Sequence, residues 1–209
     1  MMLLYGVTDR AWVGEQTLYE QVKSALKGGL TCLQLREKQL NDSAFLTEAT
    51  QLKELCKQYG VPFIVNDNVE IAVKCGADGV HVGQQDMLAQ DVRKRVGEEM
   101  ILGVSAQTVE QAIEAEEAGA DYLGVGAVFS STTKLDAADV SYETLQAICS
   151  AVTIPVVAIG GINRTNLLKL SGSGVDGAAL VSAIFSSADI EQECKCLRSL
   201  SERMVTPCE

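Results

Sequence analysis

Short apolar runs alternate with longer amphipathic segments along the whole chain, and this alternation limits the folds that are possible. The runs are rich in Val, Ile and Leu, as strands buried on both faces are. They lie at residues 3–7, 31–36, 62–66, 79–82, 101–105, 122–126, 155–160 and 177–181. The segments between them have helical spacing, as in Leu18, Val22, Ala25 and Leu26. Eight such strand–helix units in 209 residues predict an α/β fold, a single (β/α)₈ TIM barrel domain over residues 1–209.

A short repeat marks the predicted joins between helices and strands. The tripeptide GAD occurs at 76–78 and 119–121, and GVD occurs at 174–176. Each follows a helical pattern and precedes an apolar run, and Gly suits the left-handed position that ends a helix. An open doubly wound sheet is the main alternative, and it is less favoured because no glycine fingerprint follows the first strand.

Composition excludes several classes of partner. The chain has 17 Lys and Arg against 28 Asp and Glu, a formal net charge of −11, whereas a nucleic-acid surface would be basic. Seven cysteines, an odd number with no Cys-x-x-Cys pair, indicate thiols kept reduced in the cytoplasm. No apolar run approaches the roughly 20 residues of a membrane span, and the first residues lack the basic region of a signal peptide. A homo-oligomer is compatible with the sequence.

The stretch LQLREK, residues 33–38, places Gln34, Arg36 and Lys38 on one face of a strand and two leucines on the other. In a (β/α)₈ barrel the active site lies at the carboxyl ends of the strands. We therefore expect the three polar side chains to point to the barrel mouth. Polar residues also follow most of the other runs, namely Thr8, Asp9, Asn66, Asp67, His81, Gln84, Asp86, Ser105 and Ser182.

Two carboxylates, Asp67 and Asp86, follow neighbouring strands and predict a Mg²⁺ site. Mg²⁺ usually takes one or two carboxylates together with substrate phosphate oxygens. Arg36, Lys38 and Lys134 could neutralise the same phosphates. The alternative for each carboxylate, taken singly, is a helix N-cap.

The segments AIGGI (158–162) and VSAI (181–184) predict a second anion site. Glycines allow close backbone approach, and the loops after strands seven and eight often bind phosphate in this fold. His81 is the only histidine, so a pair of metal-bound histidines is excluded and a Ser-His-Asp set is not favoured. The aromatic residues are interpreted as core, namely Tyr5, Trp12, Phe63, Tyr122 and Phe129.

Seven motifs, in order from about residue 3 to residue 185, together resemble the thiamine-phosphate synthase family. They are QLREK, VND, GADGVHVGQQD, GVS, TTK, AIGGI and VSAI. The resemblance implies a (β/α)₈ barrel that uses Mg²⁺ and two phosphorylated small-molecule substrates. It implies that 4-amino-5-hydroxymethyl-2-methylpyrimidine diphosphate is joined to 4-methyl-5-(2-hydroxyethyl)thiazole phosphate, which yields thiamine phosphate and pyrophosphate by a dissociative mechanism.

The resemblance also implies roles for individual residues. It assigns the pyrimidine diphosphate to Gln34, Arg36, Lys38, Asn66, Ser105 and Lys134. It assigns the thiazole phosphate to Ser131, Thr133, Gly161, Val181 and Ser182, and Mg²⁺ to Asp67 and Asp86. The expected catalytic residues are Arg36, Lys38, Ser105 and Lys134.

The chain departs from the family pattern at two places. Where the family commonly has GP-x-FPT-x-TK, this chain has GAVFSSTTK, with Ala127, Ser130 and Ser131 at the Pro, Pro and Thr positions. Asn68 stands where an arginine is frequent.

Two other functions stay open on the sequence. A thiazole tautomerase of the same barrel family would need proton-transfer groups, and Gln107 stands near where a histidine would help. A non-catalytic barrel that binds phosphate ligands would not need the metal carboxylates, which are present.

Overall fold

Eight parallel strands close into a barrel in chain order within the residues that the computed structural model describes, 2–84, 88–129 and 140–206. The strands are β1 (Leu4–Val7), β2 (Cys32–Leu35), β3 (Phe63–Asn66), β4 (Gly79–Val82), β5 (Ile101–Ala106), β6 (Tyr122–Val125), β7 (Val156–Ile159) and β8 (Gly177–Leu180). β1 pairs with β8, with Leu4 opposite Ala178, so the sheet has no open edge. The barrel predicted from the sequence is therefore confirmed, and the open doubly wound sheet is excluded.

Helices alternate with the strands around the outside of the barrel. They are α1 (Leu18–Lys27), α2 (Asp42–Tyr59), α3 (Val69–Cys75), α4 (Ala89–Val96), α5 (Val109–Glu117), α6 (Tyr142–Ala151), α7 (Ser182–Phe185) and α8 (Ile190–Val205). The connection from β7 to β8 differs from the expectation, because it contains only a short 3-10 helix, Leu167–Leu170. Across the described ranges, no helix is long and apolar enough to cross a membrane.

Side-chain caps explain where most of these helices begin. A side-chain oxygen at the N-cap accepts a hydrogen bond from a backbone amide in the first turn, which would otherwise lack a partner. The caps of this kind are Thr17, Asn41, Asn68, Thr108, Ser141 and Asp189. α2 and α3 end at Gly60 and Gly76, whose φ angles of 66° and 63° are in the left-handed region that glycine adopts without strain.

Apolar side chains form two layers, one on each side of the barrel wall. Leu33 and Leu35 point outward into the layer between the strands and the helices, as their alternation with Gln34 predicts. A smaller cluster fills the barrel interior and includes Tyr5 and Tyr122. The prediction that Trp12 belongs to the core is wrong, because its side chain lies at the barrel rim and 37% of the residue is exposed.

The acidic residues of the GAD and GVD repeat join three odd-numbered strands to their even-numbered neighbours, and Thr31 takes the same place before β2. In each case a side chain just before an even strand accepts a hydrogen bond from an amide at the start of the preceding odd strand. The pairs are Leu4–Thr31 (2.9 Å), Phe63–Asp78 (2.8 Å), Leu102–Asp121 (2.7 Å) and Val156–Asp176 (2.8 Å). The repeat is therefore structural, and it lies at the amino ends of the strands, away from the predicted site.

Candidate active site

Among the described residues, the carboxyl end of the barrel carries Arg36, Lys38 and Asp67, as the sequence predicted. An open cavity of about 700 Å³ lies beside the ends of β2 and β3 and is lined in part by Lys38, Asn66 and Asp67. A second cavity, of about 350 Å³, lies at the opposite end and is lined by carboxylates that include Asp121 and Asp176. Those two aspartates hold the strands together, and no cation is among the described residues that line the second cavity. The first cavity also has carboxylates in its lining, but Lys38 and Arg95 lie beside them, so it is the candidate site for an anion.

A chain of hydrogen bonds crosses the barrel interior below this mouth. The amide nitrogen Nε2 of Gln34 donates to the hydroxyl of Tyr5 (2.9 Å), which is 2.8 Å from the hydroxyl of Tyr122. The Tyr122 hydroxyl is 2.9 Å from Nδ1 of His81, whose Nε2 is 3.0 Å from Oγ of Ser105. The chain therefore links Gln34 and Ser105, both of which were predicted to contact the pyrimidine.

One arrangement of protons uses every donor in this chain. Gln34 donates to Tyr5, Tyr5 donates to Tyr122, and Tyr122 donates to Nδ1 of His81, so the ring proton of His81 is on Nε2 and is shared with Ser105. Burial raises the pKa of Tyr5 well above its ordinary value, and the neighbouring Tyr122 adds to the effect. Burial also raises the pKa of Tyr122. Both phenols therefore stay neutral and act only as hydrogen-bonding groups.

A strand glycine makes room for the aromatic part of this chain. A Cβ atom at Gly103 would lie only 2.2 Å from Cζ of Tyr122. The glycine on β5 thus lets the Tyr122 ring cross the barrel interior. Glycine inside a strand often marks such a close approach.

Two ion pairs hold the cations of the loop that follows β2 (residues 36–41, here the β2 loop) at the rim. Nη1 of Arg36 is 3.0 Å from Oδ2 of Asp9, which follows β1. Nζ of Lys38 is 2.5 Å from Oδ2 of Asp67, which follows β3. The side chains of Arg36 and Lys38 remain 32% and 54% exposed, so both cations are accessible from the mouth.

Asp67 is positioned by an unusual backbone conformation. Its φ angle is 62°, the left-handed region that non-glycine residues seldom adopt and that often marks functional positions. The alternative that Asp67 caps α3 is wrong, because Oδ1 of Asn68 accepts the hydrogen bond from the amide of Ile71. Asn68, where the family frequently has arginine, thus supplies the helix cap and leaves the Asp67 carboxylate free of that role.

The predicted phosphate loops after β7 and β8 lie on the other side of the mouth. Gly160 and Gly161 have φ angles of 102° and 64°. The carbonyl of Gly161 accepts a hydrogen bond from Nδ2 of Asn166 (2.9 Å), which fixes the loop. Val181 precedes Ser182, the first residue of α7.

Four predicted site residues fall outside the described ranges. They are Asp86, Ser131, Thr133 and Lys134, and the departures from the family pattern at Ser130 and Ser131 lie in the same segment. Among the residues that are described, no group of three or more His, Cys, Asp or Glu is arranged to hold a metal ion. A site built from one or two carboxylates and substrate phosphate oxygens does not require such a group.

Sequence reasoning missed two sets of residues. It interpreted Tyr5 and Tyr122 only as core, although their hydroxyls lie in the chain between Gln34 and Ser105. It also gave no role to Glu37, in the middle of the REK triplet, or to its partner Arg10. The alternation in LQLREK did indicate that Glu37 differs from its neighbours, because it places Glu37 on the strand face opposite to Arg36 and Lys38.

The closed barrel and its cation-bearing carboxyl end are typical of (β/α)₈ barrel enzymes that bind anionic small molecules. The family model for thiamine monophosphate synthase matches residues 4–184, and the chain belongs to that family.

Relatives of known name match over nearly their full length. The chain is 51% identical to the thiamine-phosphate synthase of Ruminiclostridium cellulolyticum over 92% of this chain and 91% of the relative. It is 49% identical to the thiamine-phosphate synthase of Clostridioides difficile over 91% and 90% of the two chains. The solved structure of thiamine phosphate pyrophosphorylase from Pyrococcus furiosus superposes with a TM-score of 0.91 at 37% identity, covering 98% of each chain.

Proposed function

We propose that the protein is a thiamine-phosphate synthase. It joins the hydroxymethylpyrimidine group of its diphosphate to the nitrogen of the thiazole phosphate, and it releases pyrophosphate. The observation that carries this proposal is the 51% identity to a thiamine-phosphate synthase over more than nine-tenths of both chains. The charged mouth supports it, because both substrates are anions.

The two anions would bind on different sides of the mouth. The diphosphate would lie against Arg36, Lys38 and Asn66 after β2 and β3. The thiazole phosphate would lie against the backbone near Gly161, Val181 and Ser182, with Ser131 and Thr133 added by the family resemblance. With this separation, the thiazole would lie across the mouth from the leaving group.

Asp67, together with Asp86, would hold the Mg²⁺ ion. The carboxylate of Asp67 suits this ion, since its left-handed backbone presents it at the mouth and its described partner is the half-exposed Lys38. When bound, the metal would neutralise negative charge on the diphosphate.

The residues of this chain would then perform three tasks. Gln34 and Ser105, held by the interior hydrogen bonds, would orient the pyrimidine ring. Arg36, Lys38 and Lys134 would stabilise the charge that develops on pyrophosphate as the bond between the methylene carbon and oxygen breaks and its electron pair leaves with the oxygen. The lone pair of the thiazole nitrogen would form the new bond to that carbon, so no enzyme nucleophile or strong base is needed.

A thiazole tautomerase is less well supported by the site. Nε2 of Gln107 donates to the carbonyl of Gly126 (3.2 Å), and an amide cannot shuttle a proton as an imidazole can. A non-catalytic phosphate-binding barrel would have no use for the strained Asp67 backbone.

We propose a single barrel domain over residues 1–209 and a cytoplasmic location. The six cysteines in the described ranges support the location, because each is a free thiol.

The purified protein should form thiamine phosphate and pyrophosphate from the two substrates only when Mg²⁺ is present. Asp67→Ala should lower turnover by roughly 10²–10³-fold, the effect of losing one group that stabilises transition-state charge. Asp91→Ala is the matched control, because that carboxylate also pairs with a lysine, Lys94, but on an exposed helix surface. Product formation in excess chelator, or an Asp67→Ala variant as active as Asp91→Ala, would contradict the proposal.

A further inference from the structure

Glu37 lies between the two predicted diphosphate-binding cations but faces the other way. Its side chain is only 1% exposed, whereas those of Arg36 and Lys38 are 32% and 54% exposed. A carboxylate is seldom buried this far unless all of its hydrogen bonds are satisfied.

Both oxygens of this carboxylate accept hydrogen bonds, one within the loop that follows β2 and the other from the segment that follows β1. Oε1 accepts from the backbone amides of Gln39 (2.5 Å) and Leu40 (3.1 Å), and Oε2 accepts from Nε of Arg10 (2.7 Å). Burial acts in the opposite direction, but these hydrogen bonds prevail and lower the pKa of Glu37 below its ordinary value. The side chain is therefore ionised at neutral pH and closes the loop upon itself.

Arg10 connects this loop to helix α2. Its Nη2 lies 2.7 Å from one carboxylate oxygen and 2.9 Å from the other of Glu48, in the middle of α2. The preceding residue, Asp9, pairs with Arg36. Asp9 and Arg10, which follow β1, thus pair with Arg36 and Glu37, which follow β2. The residue after β1 is the acidic partner in the first pair and the basic partner in the second.

The position of the loop matters because Arg36 and Lys38 have long side chains. A displacement of the loop backbone would move their charged ends away from the diphosphate. A displacement of about 1 Å at a catalytic group can cost roughly 100-fold in rate. We propose that Glu37, held by Arg10, is a positioning residue that fixes the β2 loop so that Arg36 and Lys38 meet the diphosphate together. This inference rests on the proposed function and adds to it two residues that would act through the position of the loop.

The test compares Glu37 with Glu48, which binds the same guanidinium but lies in helix α2 and outside the loop. Glu37→Ala removes the whole anchor. Glu37→Gln keeps an oxygen for the amides of Gln39 and Leu40 but places an amide NH₂ group against Arg10. Glu48→Gln weakens the hold on Arg10 and leaves the loop closed.

Steady-state kinetics should be measured for each substrate separately, together with calorimetric binding of inorganic pyrophosphate in the presence of Mg²⁺. We expect Glu37→Ala to lower kcat/KM for the pyrimidine diphosphate by roughly 10–100-fold, and Glu37→Gln by less. Both should weaken pyrophosphate binding, with the KM for the thiazole phosphate within about twofold of wild type. Glu48→Gln loosens only the outer end of Arg10 and should therefore have a smaller effect than Glu37→Gln in every measurement.

The outcomes separate this inference from the proposed function. An active wild-type enzyme in which both Glu37 variants keep their affinity for pyrophosphate, or lose the two substrates equally, would overturn the positioning role alone. A wild-type protein that neither forms thiamine phosphate nor binds pyrophosphate would overturn the proposed function, and the positioning role with it. If Glu37→Ala does not fold, the comparison of Glu37→Gln with Glu48→Gln decides.

Discussion

Replacing Tyr122 by phenylalanine should test whether the interior hydrogen-bonded chain is a working part of the fold. The substitution removes a single oxygen and keeps the ring that fills the barrel interior. That oxygen lies 2.8 Å from the hydroxyl of Tyr5 and 2.9 Å from Nδ1 of His81. Both bonds are buried, so water does not readily replace the lost partner.

The expected cost follows from the groups that lose this bond. Tyr5 still accepts from Gln34, but its own proton loses its acceptor, and Nδ1 of His81 loses a donor. Leaving one buried polar group without its partner costs about 1–3 kcal/mol. Because the removed hydroxyl no longer has to be desolvated, we expect a net loss of about 2–4 kcal/mol in the free energy of unfolding.

The free energy of unfolding can be measured by urea denaturation at pH 7, with thermal unfolding as a second assay. For a chain of this size, each kcal/mol should lower Tm by about 2–4 °C. Tyr142→Phe is the matched control, since its hydroxyl donates to the carbonyl of Ser171 (2.9 Å) at an exposed position. That change should cost no more than about 1 kcal/mol, the net worth of an ordinary hydrogen bond.

The kinetic consequence of the same change distinguishes a chain that orients substrate from one that only stabilises the barrel. If the chain holds Gln34 and Ser105, the KM for the pyrimidine diphosphate should rise more than the KM for the thiazole phosphate. A Tyr122→Phe variant as stable as Tyr142→Phe would refute the energetic reasoning, because it would mean that the buried partners find other hydrogen bonds at no cost.

Two further substitutions test other parts of the structure. Gly103→Ala would place a Cβ atom 2.2 Å from the Tyr122 ring and should destabilise the fold by about 3 kcal/mol or more in the same denaturation assay. Gly14→Ala is the control and should be nearly neutral, because no atom lies within 4 Å of the added carbon. Equal effects of the two substitutions would contradict the predicted clash. Because the pKa of Glu37 is lowered from its ordinary value of 4.5, its contribution to stability is fully present above that pH and is lost as the pH falls through the lowered pKa. The stability difference between wild type and Glu37→Gln should therefore be greatest near pH 7 and shrink below about pH 4, and a difference that does not change with pH would show that the ionised form is not what stabilises the loop.

The strands could be predicted from the sequence because their signal is local. A strand of a (β/α)₈ barrel is buried on both faces, so it appears as a short apolar run between polar segments. The alternation in LQLREK likewise placed Leu33 and Leu35 outside the barrel wall and Gln34 on the opposite face. Local patterns of this kind depend on neighbours that lie within a few positions along the chain.

Local patterns could not decide whether Asp67 or Asn68 is the N-cap of α3. Both residue types cap helices, and both follow β3 directly. The left-handed φ angle of Asp67 assigns the cap to Asn68 and turns Asp67 to the mouth. Backbone conformation at a loop residue depends on the strand and helix that the loop must join, so the choice belongs to the assembled barrel.

The sequence by itself thus determined the alternation of strands and helices and the strand ends at which charged residues collect, since both follow from residues close together in the chain. The count of eight strand–helix units then favoured the barrel. Only the tertiary structure decided which polar side chains meet. Tyr5 and Tyr122 are 117 positions apart in sequence, and Arg10 and Glu37 are 27 apart. Such contacts form because closing the sheet brings distant strands face to face. The residues next to a buried tyrosine or a loop glutamate in the sequence do not indicate which distant side chain it will contact.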